Sequence, residues 1–288
     1  MDRRTLLAAA GAWAAMSGRA PAAPSALRAA ARDAWLYCLP LVEMASVRTR
    51  GAFPLPGGPP RVNVFSHARQ LATPASRGVT APNNDTLYST AWLDLGEGPI
   101  TLRLPRTGGR YFSLALMDMF TNNFAVLGTR TTGPEGGEFT LVGPTASAPE
   151  GAIRSPTPWV WALGRTLIDG PADLDAAHAV QDGLTLRAKP GAAPPRGPGR
   201  AAAWNDYFLW AQQLLAENPP PATDAALFRR IAPLRLGPAG GFEKARFADV
   251  EVGEIQDGVA DARAAIRDFG AMQRSAGGWT YPRPDLGD

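Results

Sequence analysis

Asp85 and Tyr88 have the clearest claim to chemistry in this 288-residue chain, and they lie in its densest stretch of polar motif, Val79 to Arg130. A carboxylate at Asp85 suits a general base, and Tyr88, on the same strand, suits a hydrogen-bond donor; both are the expected catalytic groups. Arg110 would clamp an anionic group on the substrate through its forked donors. Asn83, Asn84 and Trp92 complete an expected substrate-binding set. The competing reading is turn chemistry, because Asn and Asp cap turns through their own backbone, Pro82 fixes the entry, and Arg110 would simply neutralise Asp85. Against it, one turn needs one such residue, and here three stand in a row before Thr86. A second candidate site is Asp118, Asn122 and Asn123, which also reads as a turn with Phe120 folded back on the core.

These residues need strands to position them. Thr86 to Leu95 alternates, with Leu87, Ser89, Ala91, Leu93 and Leu95 on one face and Tyr88, Thr90, Trp92 and Asp94 on the other. Ile100, Leu102 and Leu104 alternate with Thr101 and Arg103, and Arg110–Asp118 and Asn122–Gly128 read as two further strands. Short connections predict an antiparallel meander of four neighbours. Its geometry puts Asn83, Asn84, Asp85, Arg110 and Arg130 at one end. Asp94, Asp118, Asn122 and Asn123 fall at the other, unless a strand crosses between sheets.

The inventory prunes other mechanisms. With one cysteine and two histidines, His67 and His178, zinc sites of the His₃, Cys₄ or Cys₂His₂ type are excluded by count. No Walker loop, GxGxxG, HExxH, CxxC or GxSxG is present. Neither a metal nor another cofactor is expected, though Asp and Asn oxygens leave a hard ion such as calcium conceivable. Cys38 cannot form an intramolecular disulfide and reads as a small buried apolar residue. His67 and His178 read as a loop histidine and a solvated helix histidine, Trp159 and Trp161 as packing residues, and Arg165 as a buttress to the sheet through Asp169.

Residues 1–22 carry Arg3 and Arg4, an apolar run from Leu6 to Met16, and Ala20-Pro21-Ala22. That is the pattern of a cleaved signal peptide, resembling a twin-arginine export signal, and it predicts a periplasmic protein without a membrane anchor after cleavage. Its apolar run is shorter than the roughly 20 residues needed to span a bilayer. Removing three arginines and one aspartate lowers the formal charge from +3 to +1. With no basic stripe, nucleic acid is not an expected partner.

Elsewhere the periodicity predicts a helix from Ser25 to about Arg48, kinked or split at Pro40. Strands run from Val62 to Arg165, and a helix from Asp173 to Gly183. Further helices are expected at 202–218, 224–231 and 249–274. The resulting division is a β-rich domain at 23–186 with its N-terminal helix, a Pro/Gly-rich linker at 187–200, and a helical segment at 201–288. The fold class is α+β, an antiparallel sandwich-like core with an N-terminal helix and a C-terminal helical segment.

The segments PNNDTLYSTAWLDL, GRYFSLALMDMFTNNFAVLGTR and GRTLIDGPADLDAAHAVQDGL resemble the bacterial family catalogued as domain of unknown function 1254, over roughly Ala34 to Gln181. The resemblance implies a β-sandwich-like core and export, and no established chemistry. In longer relatives a domain of unknown function 1214 follows, and Gly277-Gly278-Trp279-Thr280-Tyr281-Pro282 looks like the junction to it. Two functions stay open at this point. One is a periplasmic small-molecule binder or enzyme acting on a polar or anionic ligand. The other is an assembly module that pairs with a separate protein of the 1214 type or with itself.

Overall fold

The computed structural model describes residues 25–73, 76, 83–269, 274–276 and 279–281. The expected signal peptide, Pro82, Gly277, Gly278 and Pro282 lie outside the described residues. The architecture is α+β: two large, mainly antiparallel sheets, a long N-terminal helix and a set of C-terminal helices, followed by a two-stranded antiparallel pair, Arg274–Ala276 with Trp279–Tyr281, where the sequence implies helix as far as 274.

The first sheet contains β1 (Ser66–His67), β2 (Thr86–Asp94), β4 (Phe112–Met117), β5 (Asn123–Gly128) and β8 (Trp159–Leu167), in the order β1-β2-β8-β4-β5. The second contains β3 (Ile100–Leu104), β6 (Gly137–Val142), β7 (Ile153–Arg154) and β9 (Thr185–Arg187), in the order β7-β6-β3-β9. The expected meander is therefore corrected. β3 crosses to the other sheet, and the neighbour of β2 is β8, paired over all nine residues from Thr86↔Leu167 to Asp94↔Trp159. Alternation of Ile100, Leu102 and Leu104 demands one buried face and does not say which sheet supplies it. The division into two ends survives this change. Because β8 is antiparallel to both β2 and β4, the starts of β2 and β4 still share an end.

The alternation of β2 is as its sequence implies: Leu87, Ser89, Ala91 and Leu93 are buried on the inner face. Ala91 and Leu93 join Leu102, Leu114, Leu116, Leu141, Val160 and Ala162 in the core between the sheets. Each fully buried aliphatic side chain of the larger kind contributes about 1.5–3 kcal/mol.

A second core lies on the outer face. Helix α1 (Ala26–Ala52) packs there with α3 (Trp204–Glu217), α4 (Ala225–Ile231) and α5 (Asp249–Phe269), while the shorter α2 (Leu174–Asp182) lies against the strands. Helix α1 continues through Pro40 as one element, without the split that is one of the two outcomes its sequence implies. Burial of Ala34, Cys38, Leu41 and Ala45 on one stripe offsets the roughly 3 kcal/mol that an interior proline costs. Burial pushes the Cys38 thiol up to about 12, as its apolar setting predicts. Gly258 lets α5 touch α1, since a Cβ there would lie 2.3 Å from the Arg28 carbonyl oxygen. Beside it Arg28 donates to both carboxylate oxygens of Asp261 at 2.7 and 2.8 Å. The N-terminal helix thus packs chiefly with the C-terminal helices. Residues 187–200, read as a linker, are pinned to the sheet: Asn63 Nδ2 donates to the Lys189 carbonyl and Ala192 N–H to Asp94 Oδ2.

Arg48 locks the helices to the sheet. Its side chain is fully buried, donates to Glu217 Oε2 at 3.0 Å, and lies 4.6 Å above the Trp159 ring. Trp159 Nε1 donates to the other Glu217 oxygen at 2.8 Å. A carboxylate at the C-terminal end of α3 opposes the helix dipole, so Arg48 is what makes it tolerable there. Glu217→Ala would leave a buried guanidinium unpaired and is expected to lower stability by about 3–5 kcal/mol. Urea denaturation with unchanged slope is the measurement; a loss under about 1 kcal/mol would show that Arg48 finds another partner.

Candidate functional site

The outer face of the five-stranded sheet is only half covered. Gly51, at the end of α1, presses on Trp92, where a Cβ would come 2.7 Å from the indole. Trp92 in turn stacks on Trp161 with centroids 5.8 Å apart and planes 7° from parallel. Beyond that pair the helices stop, and the same face forms a trough of about 980 Å³. Thr86, Tyr88 and Thr90 of β2 and Trp161, Leu163 and Arg165 of β8 make its floor. Residues 67–73 and Ser76 supply the rim with Asn83.

Register explains the floor. Tyr88 faces Arg165 and Thr90 faces Leu163 across the β2–β8 ladder, so alternate residues of both strands project to one side. Trp161 leans over Thr90, donating Nε1 to its hydroxyl at 2.7 Å. The Arg165 guanidinium lies 5.7 Å over the Tyr88 ring, a cation–π contact, and has no ion pair among the described residues. Its expected partner Asp169 is not engaged. Asn83 organises the entry: Oδ1 accepts from the N–H groups of Asp85 and Thr86 and from the Thr86 hydroxyl. Its Nδ2 donates to the Tyr88 hydroxyl oxygen, which leaves the Tyr88 O–H to donate into the trough.

The edge is held by α2. Gln181, fully buried, donates Nε2 to the carbonyls of Ala68 and Tyr88 and to Ser89 Oγ, at 3.1 to 3.3 Å. His67 Nδ1 lies 2.8 Å from Ser89 Oγ. Burial, and then the Arg69 cation, push the His67 pKa down. The shift favours the neutral ring, and because Ser89 Oγ already accepts from Gln181, its proton is free to go to His67 Nδ1 in the tautomer that carries its hydrogen on Nε2. Ser89 has no access to solvent and cannot serve as a nucleophile. Arg69 is neutralised by an ion pair with Asp182. No Asp or Glu is among the described lining residues, so the trough offers anion receptors without a carboxylate base.

The structure brings together only part of the expected set. Asn83 and Tyr88 line the trough; Asn84 and Asp85 are exposed at the strand end and do not. Trp92 is 3% exposed and buried under α1, so it is core. Arg110 does pair with an acid, but with Asp173 rather than Asp85, through both guanidinium nitrogens, and donates to the Leu167 carbonyl at 2.7 Å. That hydrogen bonding, with the Asp169 N–H, holds Asp173 down to about 2. The second candidate site closes on itself. Asp118 Oδ1 accepts from the N–H groups of Phe120 and Asn122 at 2.8 and 2.9 Å, and Oδ2 from the Asn122 amide at 3.2 Å. Asn123 is exposed and is not part of that network, and Phe120 packs on Tyr37. Arg165 and Leu163 were the residues to find; the alternation Trp161-Leu163-Arg165 was the signal, but its partner strand was not visible in sequence. No cluster of three or more metal-ligating side chains occurs among the described residues.

Residues 62–188 match the model of a family described as a protein of unknown function (DUF1254). No curated protein matches the chain. Among solved structures, the VPA0106 protein from Vibrio parahaemolyticus superposes with a TM-score of 0.66 at 20% identity, over 85% of this chain and 60% of that one. This chain therefore spans about 60% of that structure's length, and the likeness shows a shared fold. An uncharacterized protein from Burkholderia cenocepacia aligns at 17% identity over 79% of this chain and 67% of its own, with a TM-score of 0.30, too low to bear on the fold.

The neutral histidine makes a pH prediction. A folded-state pKa below the unfolded value of about 6.5 means that the unfolded chain binds the proton first. His67 thus contributes stability that is full above about pH 6.5 and is lost as pH falls through the folded pKa. Denaturation midpoints measured between about pH 7.5 and 5 should fall for the wild type and fall less for His67→Gln. Parallel curves for the two proteins would refute the assignment.

Proposed function

We propose that the trough of this chain, whose residues 62–188 match the DUF1254 family model, binds a small anionic molecule. One observation carries the reading: Arg165, held over the Tyr88 ring and without an ion pair among the described residues, lines the trough together with the Tyr88 hydroxyl and the apolar Leu163 and Trp161. A guanidinium in that setting matches a carboxylate or phosphate oxygen pair, and pockets of several hundred Å³ with few convergent polar groups are the usual form of ligand sites.

The reading favours binding over catalysis. His67 faces the rim as a neutral ring tied to Ser89, and the carboxylate expected to act as base, Asp85, stands outside the trough. The leader-like residues 1–22 support placing this work in the periplasm after export. Retention of the ligand, or its delivery to another protein, needs no catalytic group.

Titration calorimetry with a panel of small carboxylates and phosphates, matched to neutral analogues, tests the proposal. Arg165→Gln should weaken anion binding roughly ten- to a hundredfold, the worth of a charge-assisted hydrogen bond. Tyr88→Phe should weaken it less. Asp85→Ala should leave affinity within about twofold, which is the margin expected of a distant surface residue; loss of binding there would move the site back to the strand end.

A further inference from the structure

We infer that the ligand is an amphipathic monoanion whose apolar body is measured by the trough. This rests on the reading of the trough as an anion site and adds the class of molecule.

The charge limit comes from the cations present. Among the described residues two arginines line the trough, and Arg69 is already neutralised by Asp182 and further held by Gln181 and the His178 carbonyl. Arg165 alone remains without an ion pair among the described residues. One guanidinium beside one hydroxyl satisfies a single carboxylate; a second negative charge would lie unpaired on Leu163.

The apolar body follows from what adjoins the head. Leu163 and Trp161 continue the floor from Arg165, and Leu71 and Ala72 face it from the rim. Tyr88 and Thr90 add little competing polarity: the Tyr88 ring is covered by Arg165, and the Thr90 hydroxyl already accepts from Trp161 Nε1, which leaves it one proton to donate. A polar ligand body lying on Leu163 and Trp161 would surrender water that these two side chains cannot replace.

The length follows from the strand. Arg165, Leu163 and Trp161 are successive same-face positions of β8, so the floor runs roughly 13 Å from the first to the last. Trp161 ends it. Its ring leans over Thr90 and is backed by Trp92, which α1 covers, so the wall cannot retreat without unpacking the helices. Allowing for the head group and the width of the indole, about 8–10 Å is left for the body. A zig-zag alkyl chain advances roughly 1.3 Å per carbon, which corresponds to about six to eight carbons or a ring on a short stem.

Titration calorimetry on the purified protein with unbranched carboxylates from four to fourteen carbons, kept below micelle formation, is the test; octan-1-ol and octylamine are the neutral and cationic arms. Affinity should rise about three- to fourfold per methylene up to roughly eight carbons, as burial of a CH₂ requires, and then level. The alcohol and the amine should bind at least tenfold more weakly than octanoate. Trp161→Leu should move the plateau to longer chains. If that variant fails to fold, Leu163→Gln should flatten the rise while short carboxylates keep their affinity. Equal affinity at every length, or a rise that continues to fourteen carbons, overturns the ruler while leaving the anion site standing. Failure of every carboxylate, or an alcohol as good as octanoate, sinks the anion reading itself.

Discussion

A guanidinium sealed from solvent fixes where the two layers of this protein meet. Arg48 persists in the interior only because Glu217 faces it and the Trp159 ring lies beneath it. An ion so placed is intolerable without its partner. The three groups come from α1, the last turn of α3 and the middle strand of the first sheet. The helices therefore dock on the sheet in one position, and their edge falls at the Trp92–Trp161 stack. What they leave uncovered is the trough. The site is positioned by the limit of a packing interface rather than by a loop built around a ligand.

Two faces of one strand carry two jobs. The inward residues of β2 are aliphatic or small and fill the sandwich. Its outward residues pass from Tyr88 and Thr90, in the trough, to Trp92 under the helix. Asn83, which looks like turn chemistry, is that and more. Its carbonyl oxygen closes the turn, and its amide sets the Tyr88 hydroxyl beside the cation it supports. Turn and site are the same residue here, so choosing between the two readings was a false opposition for Asn83 and a real one for Asp118.

The sequence disclosed the periods and withheld the partners. Strand β2, the face it buries, the helices and the buried Cys38 follow from alternation and spacing, which are local properties. The pairing of β2 with β8 was not legible, because nothing in either strand names a neighbour some seventy residues away. That gap leaves Asp85 and Arg110 grouped only by the end of the sheet they share. Arg110 takes Asp173 from the start of α2, a residue that strand patterning never brings near it. Trp92 failed for a related reason: an aromatic on a polar face reads as a groove until the helix that covers it is known.

The middle position of β8 also sets a sequence of events. Strands β4 and β5 are joined by a tight connection and pair as soon as both exist. β2 has only the two-residue β1 on one edge until Trp159–Leu167 arrives to fill the other. Until then a nine-residue strand with an apolar face stands open on the nascent chain, the kind of edge that recruits the wrong neighbour. Closure of the sheet depends on a pairing between strands far apart in sequence, the kind of contact that slows folding. The trough floor straddles β2 and β8, so the trough takes shape only once β8 has joined the two halves of the sheet, and any molecule that binds the completed trough would favour that insertion.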